Sequence, residues 1–236
     1  MIHKPKILAI IPARGGSKGI PGKNIKLLGG KPLLEYTVDS ARESRLLSRV
    51  ILSSDDEAII SLAKSIGLEV PFVRPAHLAT DLSGSLELVQ HALTFFKDNG
   101  ALFDAVCLLQ PTTPFREKGS IDAAIQRFID KEVDSLVSVR EVPAEFNPHW
   151  VFEADETGCL HIATGEKEII KRRQELPVAY FRDGSIYLTK TEVILKQESL
   201  YGDTIGYIIS KNKQFVNLDT PEDWERAEWI LKKGHS

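Results

Sequence analysis

Short apolar segments rich in β-branched residues alternate with segments of helical periodicity along the first 140 residues of the chain. Each apolar segment predicts a strand, and each periodic segment predicts a helix that packs on it. The predicted strands are residues 6–11, 49–53, 69–73, 105–109 and 135–140, and the predicted helices are residues 32–44, 56–67, 86–99 and 120–131. Strands that alternate with helices favour βαβ units, so we expect an α/β fold with a mostly parallel sheet covered on both faces.

The alternation breaks between about residues 143 and 176, where Pro, Asn, His and Trp precede a charged stretch. We interpret this segment as an inserted arm. Strand patterns return at residues 179–188 and 204–209, and a last helix is predicted at residues 221–233 with Thr220 as its N-cap. Because the sequence has no internal repeat and no low-complexity linker, we expect residues 1–236 to form one domain that carries the arm.

The charges of the chain nearly balance. Its 236 residues include 30 Lys and Arg against 33 Asp and Glu, so the net charge is -3 and a nucleic-acid partner is not expected. Cys107 and Cys159 are too few for a disulfide framework, which fits a reducing cytoplasm. The first apolar run is interrupted by Arg14, so no signal peptide is expected, and no other apolar stretch approaches the length of a membrane span.

The segment IPARGGSKGIPGKN, residues 11–24, directly follows the first predicted strand. In open α/β sheets ligands bind beyond the carboxyl ends of the strands, so this position indicates a site. The glycines let backbone N–H groups approach an anion, and Arg14, Lys18 and Lys23 supply positive charge. The spacing matches neither the Walker A nor the GxGxxG motif. The segment predicts phosphate binding, and the alternative is a solvated basic loop.

The turn before the last predicted helix, NLDTPEDWE, places Asn217 and Asp219 two residues apart. Both side chains therefore point the same way from an extended backbone. An amide oxygen and a carboxylate suit Mg²⁺, which prefers oxygen ligands and often bridges to phosphates. The alternative is that Asp219 and Thr220 only cap the helix, because an acid near a helix N-terminus is common.

Other polar residues follow the ends of predicted strands. Gln110 ends one strand in LLQPTTPFR, and Arg74 and Ser85 are expected at the same edge of the sheet. The alternatives are that Gln110 only satisfies backbone groups of a turn, and that Ser83 or Ser85 caps a helix. Residues 54–56 are interpreted as a helix start.

Five motifs occur in the order found in a known family: IPARGGSKGIPGKN, RPAHLATD, LLQPTTPFR, RQELP followed by FRDGSIYL, and NLDTPEDWERAE. On these motifs, which span nearly the whole chain, the sequence resembles the acylneuraminate cytidylyltransferases, also called CMP-sialic acid synthetases. The resemblance implies a Rossmann-like, GT-A-like nucleotidyltransferase fold, a three-layer sandwich with an inserted dimerisation arm. It also implies a homodimer that couples CTP to a nonulosonic acid with Mg²⁺ and releases pyrophosphate.

The same resemblance assigns roles by matching motif. It implies catalytic roles for Arg14, Lys23 and Asp219. The implied nucleotide contacts are Ala13, Arg14, Gly15, Asn24, Arg74 and Ser85. The implied sugar contacts are Gln110, Arg173 and Tyr187. Asp219 aligns with the second acid of the family's D-x-D metal motif, and Asn217 stands in place of the first, which leaves Asp219 as the main protein ligand for Mg²⁺.

Other departures from the family pattern concern the sugar acid. Members specific for N-acetylneuraminate often have R-x-N-G where this chain has FRDG at residues 181–184. His149 and Trp150 stand where some members have a lysine after the arm's proline. Legionaminic or another bacterial nonulosonic acid therefore competes with N-acetylneuraminate as the expected substrate. Two alternatives stay open: a nucleotidyltransferase for Kdo or a hexose phosphate, and a catalytically silent nucleotide-binding regulator.

Overall fold

The structure, a computed structural model, describes residues 4–234. Within these residues the chain divides into two compact units. Residues 4–138 and 183–234 form the first unit, and Val139–Arg182 forms the second. The arm predicted at residues 143–176 falls inside the second unit, whose bounds are wider by several residues at each end.

Strands and helices alternate as the sequence pattern predicts. The strands are β1 (Ile7–Pro12), β2 (Leu27–Leu28), β3 (Lys31–Pro32), β4 (Arg49–Ser53), β5 (Ala105–Leu108), β6 (Ser135–Glu141), β7 (Phe152–Ala154), β8 (Leu160–Ile162), β9 (Tyr180–Lys190) and β10 (Ile205–Ile209). The helices are α1 (Leu33–Arg42), α2 (Glu57–Ser65), α3 (Ser85–Asp98), α4 (Ser120–Lys131), α5 (Thr191–Lys196) and α6 (Pro221–Gly234). None of the helices within residues 4–234 is both long enough and apolar enough to span a membrane.

Six strands form the main sheet, in the order β10-β6-β9-β5-β1-β4. Strand β1 lies parallel to both of its neighbours, with Ile10 opposite Ile51 of β4 and Leu108 of β5. Strand β9 lies antiparallel to β5, with Tyr187 opposite Leu108. The mixed α/β architecture with a central, mostly parallel sheet confirms the predicted fold class.

Strand β1 shows why the fold has three layers. Its residues Ile7 to Ile11 are all fully buried, and successive side chains of a strand point to opposite faces. Ile7, Ala9 and Ile11 belong to one buried cluster with residues of α1, α2 and α4. Leu8 and Ile10 belong to a second cluster with residues of α3 and α5. The continuous apolar run of β1 therefore packs against helices on both faces of the sheet, as expected for a central parallel strand.

Two interpretations of local structure from the sequence were wrong, and one helix was not predicted. Residues 69–73 form no strand: Glu69 bridges Ile51 and its carbonyl accepts the amide of Leu52, but Pro71 has no N–H with which to continue the ladder. The short helix α5 was not predicted. Gly84, rather than Ser83 or Ser85, is the N-cap of α3 and makes no side-chain capping bond.

Two predicted helix starts were confirmed. The carboxylate of Asp56 caps α2 and accepts the amide of Ile59 at 2.9 Å. At the start of α6, the Asp223 carboxylate accepts the Thr220 amide at 2.9 Å, and the Thr220 hydroxyl accepts the Asp223 amide at 3.3 Å. This reciprocal pair is a capping box.

The second unit is built from short elements. Strands β7 and β8 form an antiparallel pair, and side-chain bonds to backbone carbonyls connect other segments of the unit. The amide of Asn147 donates to the Pro177 carbonyl at 2.9 Å, and the Trp150 indole donates to the Ile170 carbonyl at 2.6 Å. A cavity of about 240 Å³ in this unit has Arg173 in its wall.

Candidate active site

Polar loops follow the carboxyl ends of the parallel strands in the first unit. Residues 13–24 follow β1, residues 54–56 follow β4, and residues 109–116 follow β5. Because β1 is parallel to both β4 and β5, these loops share one edge of the sheet. The edge at which parallel strands end is the usual ligand position in open α/β sheets. The Gly-rich segment therefore lies where the sequence analysis expected it.

Lys23 joins this edge to the segment that precedes α6. Its ammonium donates to the Leu218 carbonyl at 2.6 Å and lies 3.3 Å from Oδ1 of Asp219. Only 11% of the Lys23 side chain is exposed. The backbone at Gly19 also lies close to the backbone of Asp219, because a Cβ atom on Gly19 would be 1.9 Å from the Asp219 carbonyl oxygen. The two predicted catalytic residues Lys23 and Asp219 are thus in direct contact.

The segment around Asp219 is extended, as predicted. Val216 and Leu218 are buried, whereas Asn217 and Asp219 are exposed, and Nδ2 of Asn217 donates to Oδ2 of Asp219 at 2.5 Å. The Leu218 amide donates to the Thr112 carbonyl at 2.8 Å, which attaches the segment to the loop after β5. The Asp219 carboxylate accepts hydrogen bonds from Asn217 and Lys23. Of the alternative that Asp219 and Thr220 cap α6, the part that concerns Thr220 is confirmed, because the capping box is formed by Thr220 and Asp223.

The donor set at Asp219 fits a magnesium ion that is shared with a phosphate. The Asp219 side chain is 60% exposed, and the Asn217 amide lies beside it. Residues 4–234 contain no group of three or more His, Cys, Asp or Glu side chains that could hold a metal ion. A protein site with one carboxylate suits Mg²⁺, which keeps several waters and takes its remaining oxygens from substrate phosphates.

Three of the predicted nucleotide contacts make hydrogen bonds that hold the Gly-rich loop in place. The Ala13 amide donates to the Ser53 carbonyl at 3.0 Å, and the Gly15 amide donates to Oδ1 of Asp55 at 3.2 Å. Asn24 is buried, and its amide donates to the Arg14 carbonyl at 3.1 Å. Asn24 thereby fixes the backbone of Arg14. Nucleotide contacts of Ala13, Gly15 and Asn24 stay predictions.

Arg74 is buried at the end of β4. Its Nε donates to the Ser53 hydroxyl at 3.0 Å, and its terminal nitrogen donates to the Ser53 carbonyl. Burial lowers the pKa of Arg74 to about 10, opposed by the charge of Asp55 and reinforced by that of Arg14, so its guanidinium stays charged at neutral pH. Ser85 begins helix α3 and is half-buried.

The three predicted sugar contacts fall in different places. Gln110 is half-buried just beyond β5, and Tyr187 is half-buried on the neighbouring strand β9, opposite Leu108. Both residues belong to the first unit. Arg173 belongs to a short 3-10 turn of the second unit, where it is exposed.

The family profile described as cytidylyltransferase matches residues 8–232 of the chain. The chain belongs to the cytidylyltransferase family. A relative from Legionella pneumophila named CMP-N,N'-diacetyllegionaminic acid synthase is 35% identical over 229 residues, which is 96% of this chain and 97% of that protein. The pseudaminic acid cytidylyltransferase of Campylobacter jejuni is 33% identical, and 98% of each chain is covered. The N-acylneuraminate cytidylyltransferase of Escherichia coli O18:K1:H7 is 32% identical over 98% of this chain but only 53% of its own length.

Two solved structures share the fold of this chain. A CMP:2-keto-3-deoxy-manno-octonic acid synthetase complexed with CTP superposes with a TM-score of 0.72 at 15% identity, covering 97% of this chain and 99% of that one. The 4-diphosphocytidyl-2C-methyl-D-erythritol synthase of Anaerococcus prevotii superposes with a TM-score of 0.68 at 15% identity, covering 98% and 100%. These neighbours confirm the Rossmann-like nucleotidyltransferase fold.

Arg116, for which the sequence predicted no role, organises the loop after β5 in this cytidylyltransferase. Its guanidinium donates to the carbonyls of Gln110 and Ser185, at 2.5 and 3.1 Å, and to the Thr37 hydroxyl at 2.9 Å. Burial lowers the pKa of Arg116 to about 10, opposed by Cys107 and by the charge of Asp183. Arg116 therefore fixes the backbone of Gln110. The sequence signal was an arginine at the end of the segment LLQPTTPFR, which contains two prolines.

Asp183, in the departure FRDG, is also a structural residue. It is buried, and its carboxylate accepts the hydroxyls of Ser138 and Ser210 and the Ser185 amide, the last at 2.9 Å. The next residue, Gly184, has a φ of 77° that favours glycine. Asp183 thus fixes the backbone of β9 at the point where the strand becomes buried.

Proposed function

We propose that the protein is a CMP-nonulosonic acid synthetase, which transfers a cytidylyl group from CTP to the anomeric hydroxyl of a nonulosonic acid. The observation that carries this proposal is the match of the cytidylyltransferase profile to nearly the whole chain. The two relatives with the highest identity given above are named for legionaminic and pseudaminic acid. The contact between Lys23 and Asp219 at the strand ends supplies a cation and a carboxylate in one place.

The substrate that we put first is a bacterial diacylated acid of the legionaminic type. The relative at 35% identity is named for such an acid, whereas the N-acylneuraminate relative is 32% identical and about twice as long. The segment FRDG, which contains the buried Asp183, also differs from the R-x-N-G pattern typical of members specific for N-acetylneuraminate. N-Acetylneuraminate is the second candidate.

The chemistry is an in-line displacement at the α-phosphorus of CTP. A bond forms between the anomeric oxygen of the sugar acid and phosphorus, and the bond from phosphorus to the pyrophosphate oxygen breaks. Arg14 and Lys23 neutralise the charge that develops on the leaving pyrophosphate, and Asp219 accepts the proton of the attacking hydroxyl. Positioning and charge neutralisation carry most of the rate enhancement in phosphoryl transfer of this kind.

Asp219, with the amide oxygen of Asn217, is the place on this chain that would hold Mg²⁺. When bound, the ion would neutralise phosphate charge and lower the pKa of an oxygen nucleophile. Lys23 contacts the same carboxylate, so a cation lies directly beside the group that would hold the ion. Asn217 supplies no negative charge, so the carboxylate of Asp219 dominates the affinity for the ion.

We also propose that the protein is a cytoplasmic homodimer. The second unit exposes large apolar side chains, and a second copy of the chain is the partner that the resemblance implies for this segment. Both Cys107 and Cys159 are free, which fits a reducing compartment. Arg173, which is exposed in the second unit, would then act at a site completed by two chains.

The test measures pyrophosphate release by the purified protein with CTP and a panel of sugar acids. We expect release with N,N'-diacetyllegionaminic, pseudaminic or N-acetylneuraminic acid, and at least tenfold slower reaction when UTP replaces CTP. Equal rates with CTP and UTP would contradict the proposed base preference. Release with Kdo or a hexose phosphate alone would establish a different nucleotidyltransferase, and CTP binding without release from any acceptor would establish a silent regulator.

A further inference from the structure

A single carboxylate bridges two cations of the Gly-rich loop. Oδ1 of Asp81 lies 2.7 Å from a terminal nitrogen of Arg14, and Oδ2 lies 2.5 Å from the ammonium of Lys18. Both oxygens of the carboxylate are therefore engaged, one with each cation. The hydrogen bonds from Lys18 and Arg14 lower the pKa of Asp81, so this carboxylate is ionised at neutral pH.

Asp81 is presented by a small turn with its own hydrogen bonds. The Thr80 amide donates to the Ser83 hydroxyl at 3.1 Å, and that hydroxyl donates to the His77 carbonyl at 2.9 Å. The neighbouring Leu82 is 97% exposed, so this apolar side chain does not hold the tip of the turn against the rest of the first unit. The contact of Asp81 with the Gly-rich loop rests on charge.

Two oxygens that engage a guanidinium and an ammonium reproduce the way in which a phosphate group would engage the same pair. We propose that Asp81 competes with the phosphates of the nucleotide for Arg14 and Lys18, and so weakens the binding of CTP and of pyrophosphate to the loop. This inference rests on the proposed function, because it takes the phosphates of CTP to bind these two cations.

The competition is a mild one. The Asp81 side chain is 38% exposed and that of Lys18 is 81% exposed, and ion pairs in such surroundings are weak and screened by salt. A triphosphate carries more negative charge than one carboxylate and displaces it. When pyrophosphate leaves, Asp81 returns to both cations, so they are not left unpaired and release of this product is favoured.

The test compares the wild type with Asp81→Asn, which keeps the size of the side chain and removes its charge. Calorimetry with inorganic pyrophosphate and with CTP should give dissociation constants about fivefold lower for the variant, since two weak exposed pairs are lost. The KM for CTP and the inhibition constant of pyrophosphate should fall by a similar factor. The affinity for cytidine, which has no phosphate, and the KM for the sugar acid should not change.

Two further variants separate competition from a general effect of charge. Asp81→Glu retains the carboxylate and should bind pyrophosphate within about twofold of the wild type. Asp39→Asn is a matched control, because Asp39 also holds two cations, Lys31 and Arg42, and is 43% exposed. This control should leave every affinity unchanged.

Unchanged or weaker binding of pyrophosphate and CTP to Asp81→Asn would overturn the inference, since the carboxylate would then position the cations or have no role. An equal gain in Asp39→Asn would also overturn it, because net charge alone would explain the result. If the wild type bound neither CTP nor pyrophosphate, the proposed function itself would fail, and that outcome differs from binding by the wild type with no gain in the variant.

Discussion

In the first unit, the central strand β1 is buried on both faces between two clusters of apolar side chains, whereas in the second unit the three residues of β7 are all exposed. The second unit also exposes many large apolar side chains. Examples are Phe146, Phe152, Leu160, Ile169 and Val178. The first unit therefore gains its stability from burial of its own apolar surface, and the second unit has apolar surface left to bury.

This difference in burial of apolar surface suits the two units to different roles. A chemical site needs groups held within fractions of an ångström, which a packed scaffold provides. Lys23, Asp219 and Arg116 are fixed in the first unit by bonds between distant segments. The second unit, with its exposed apolar surface, is suited to assembly with another chain. The following experiments test that division.

The largest effect should come from Asp219→Asn. A neutral amide is a poorer partner for a hard dication and accepts no proton, so kcat/KM should fall at least about 1000-fold. Because Thr220 and Asp223 form the capping box, the free energy of unfolding should change by no more than about 1 kcal/mol. Steady-state kinetics and thermal melts measure the two quantities. An active variant with an unaltered Mg²⁺ requirement would show that the acid is only structural.

Lys23→Ala and Arg14→Ala should each lower kcat/KM at least about 100-fold, which corresponds to roughly 3 kcal/mol of charge stabilisation at the leaving pyrophosphate. The Lys23→Ala substitution should also lower the free energy of unfolding, because it removes the donor that bonds to the Leu218 carbonyl. Turnover at the wild-type rate in both variants would remove these residues from the mechanism. Arg127→Ala, on helix α4, serves as a control for loss of a positive charge.

Gly19→Ala tests how tightly the Gly-rich loop packs on the segment before α6. The new Cβ would lie 1.9 Å from the Asp219 carbonyl, so one of the two backbones must move. We expect a loss of about 2 kcal/mol in stability and at least tenfold in kcat/KM. Gly16→Ala is the matched control, because a Cβ there meets nothing within 4 Å, and both quantities should stay near the wild type.

Substitution of exposed apolar residues in the second unit should weaken assembly of the homodimer and leave folding unchanged. The double variant Phe146→Ser with Leu160→Ser removes two exposed apolar side chains, and the dissociation constant of the homodimer should rise at least about tenfold. Sedimentation velocity over a range of concentrations measures this constant. Leu102→Ser, an equally exposed apolar position in the first unit, should leave it unchanged. A wild type that is monomeric at full activity would refute the assembly role.

The smallest effect concerns the pH dependence of the capping box. Burial acts to raise the pKa of Asp223, but hydrogen bonds from Thr220 and Asp219 outweigh it, so the pKa is lowered in the folded state. A lowered pKa stabilises the fold above the unfolded pKa of about 4, and this contribution is lost as the pH falls through the folded value. Asp223→Asn should therefore lose about 1 kcal/mol at pH 7 and almost nothing near pH 2, as denaturant unfolding at both values would show.

Much of the first unit could be predicted because its signals are local. The buried run of β1 and the periodicity of α4 fix those elements from neighbouring residues alone, and the predicted bounds of α4 match the structure. The family resemblance implied catalytic roles for Lys23 and Asp219 but not their contact, since no local pattern links residues so far apart. The close approach that requires Gly19 was not foreseen for the same reason.

The misses also have physical causes. Residues 69–73 have the β-branched composition of a strand, but Pro71 interrupts the ladder after one bridge. Arg116 and Asp183 are charged, and composition places charged residues at the surface. Arg116 is half-buried and Asp183 is buried because carbonyl and hydroxyl partners meet them only in the folded sheet, so a single sequence carries no sign of it.

The contact between Lys23 and Asp219 also bears on synthesis of the chain, because the two residues are 196 positions apart. At about 5–20 residues per second, a ribosome needs roughly 10–40 s to pass from the first residue to the second. During this interval strands β1, β4 and β5 have all been made and can pair, but the Lys23 ammonium has neither the carbonyl nor the carboxylate that it contacts in the finished protein. A nascent chain can thus pair the parallel strands β4, β1 and β5 well before it acquires the contact between Lys23 and Asp219.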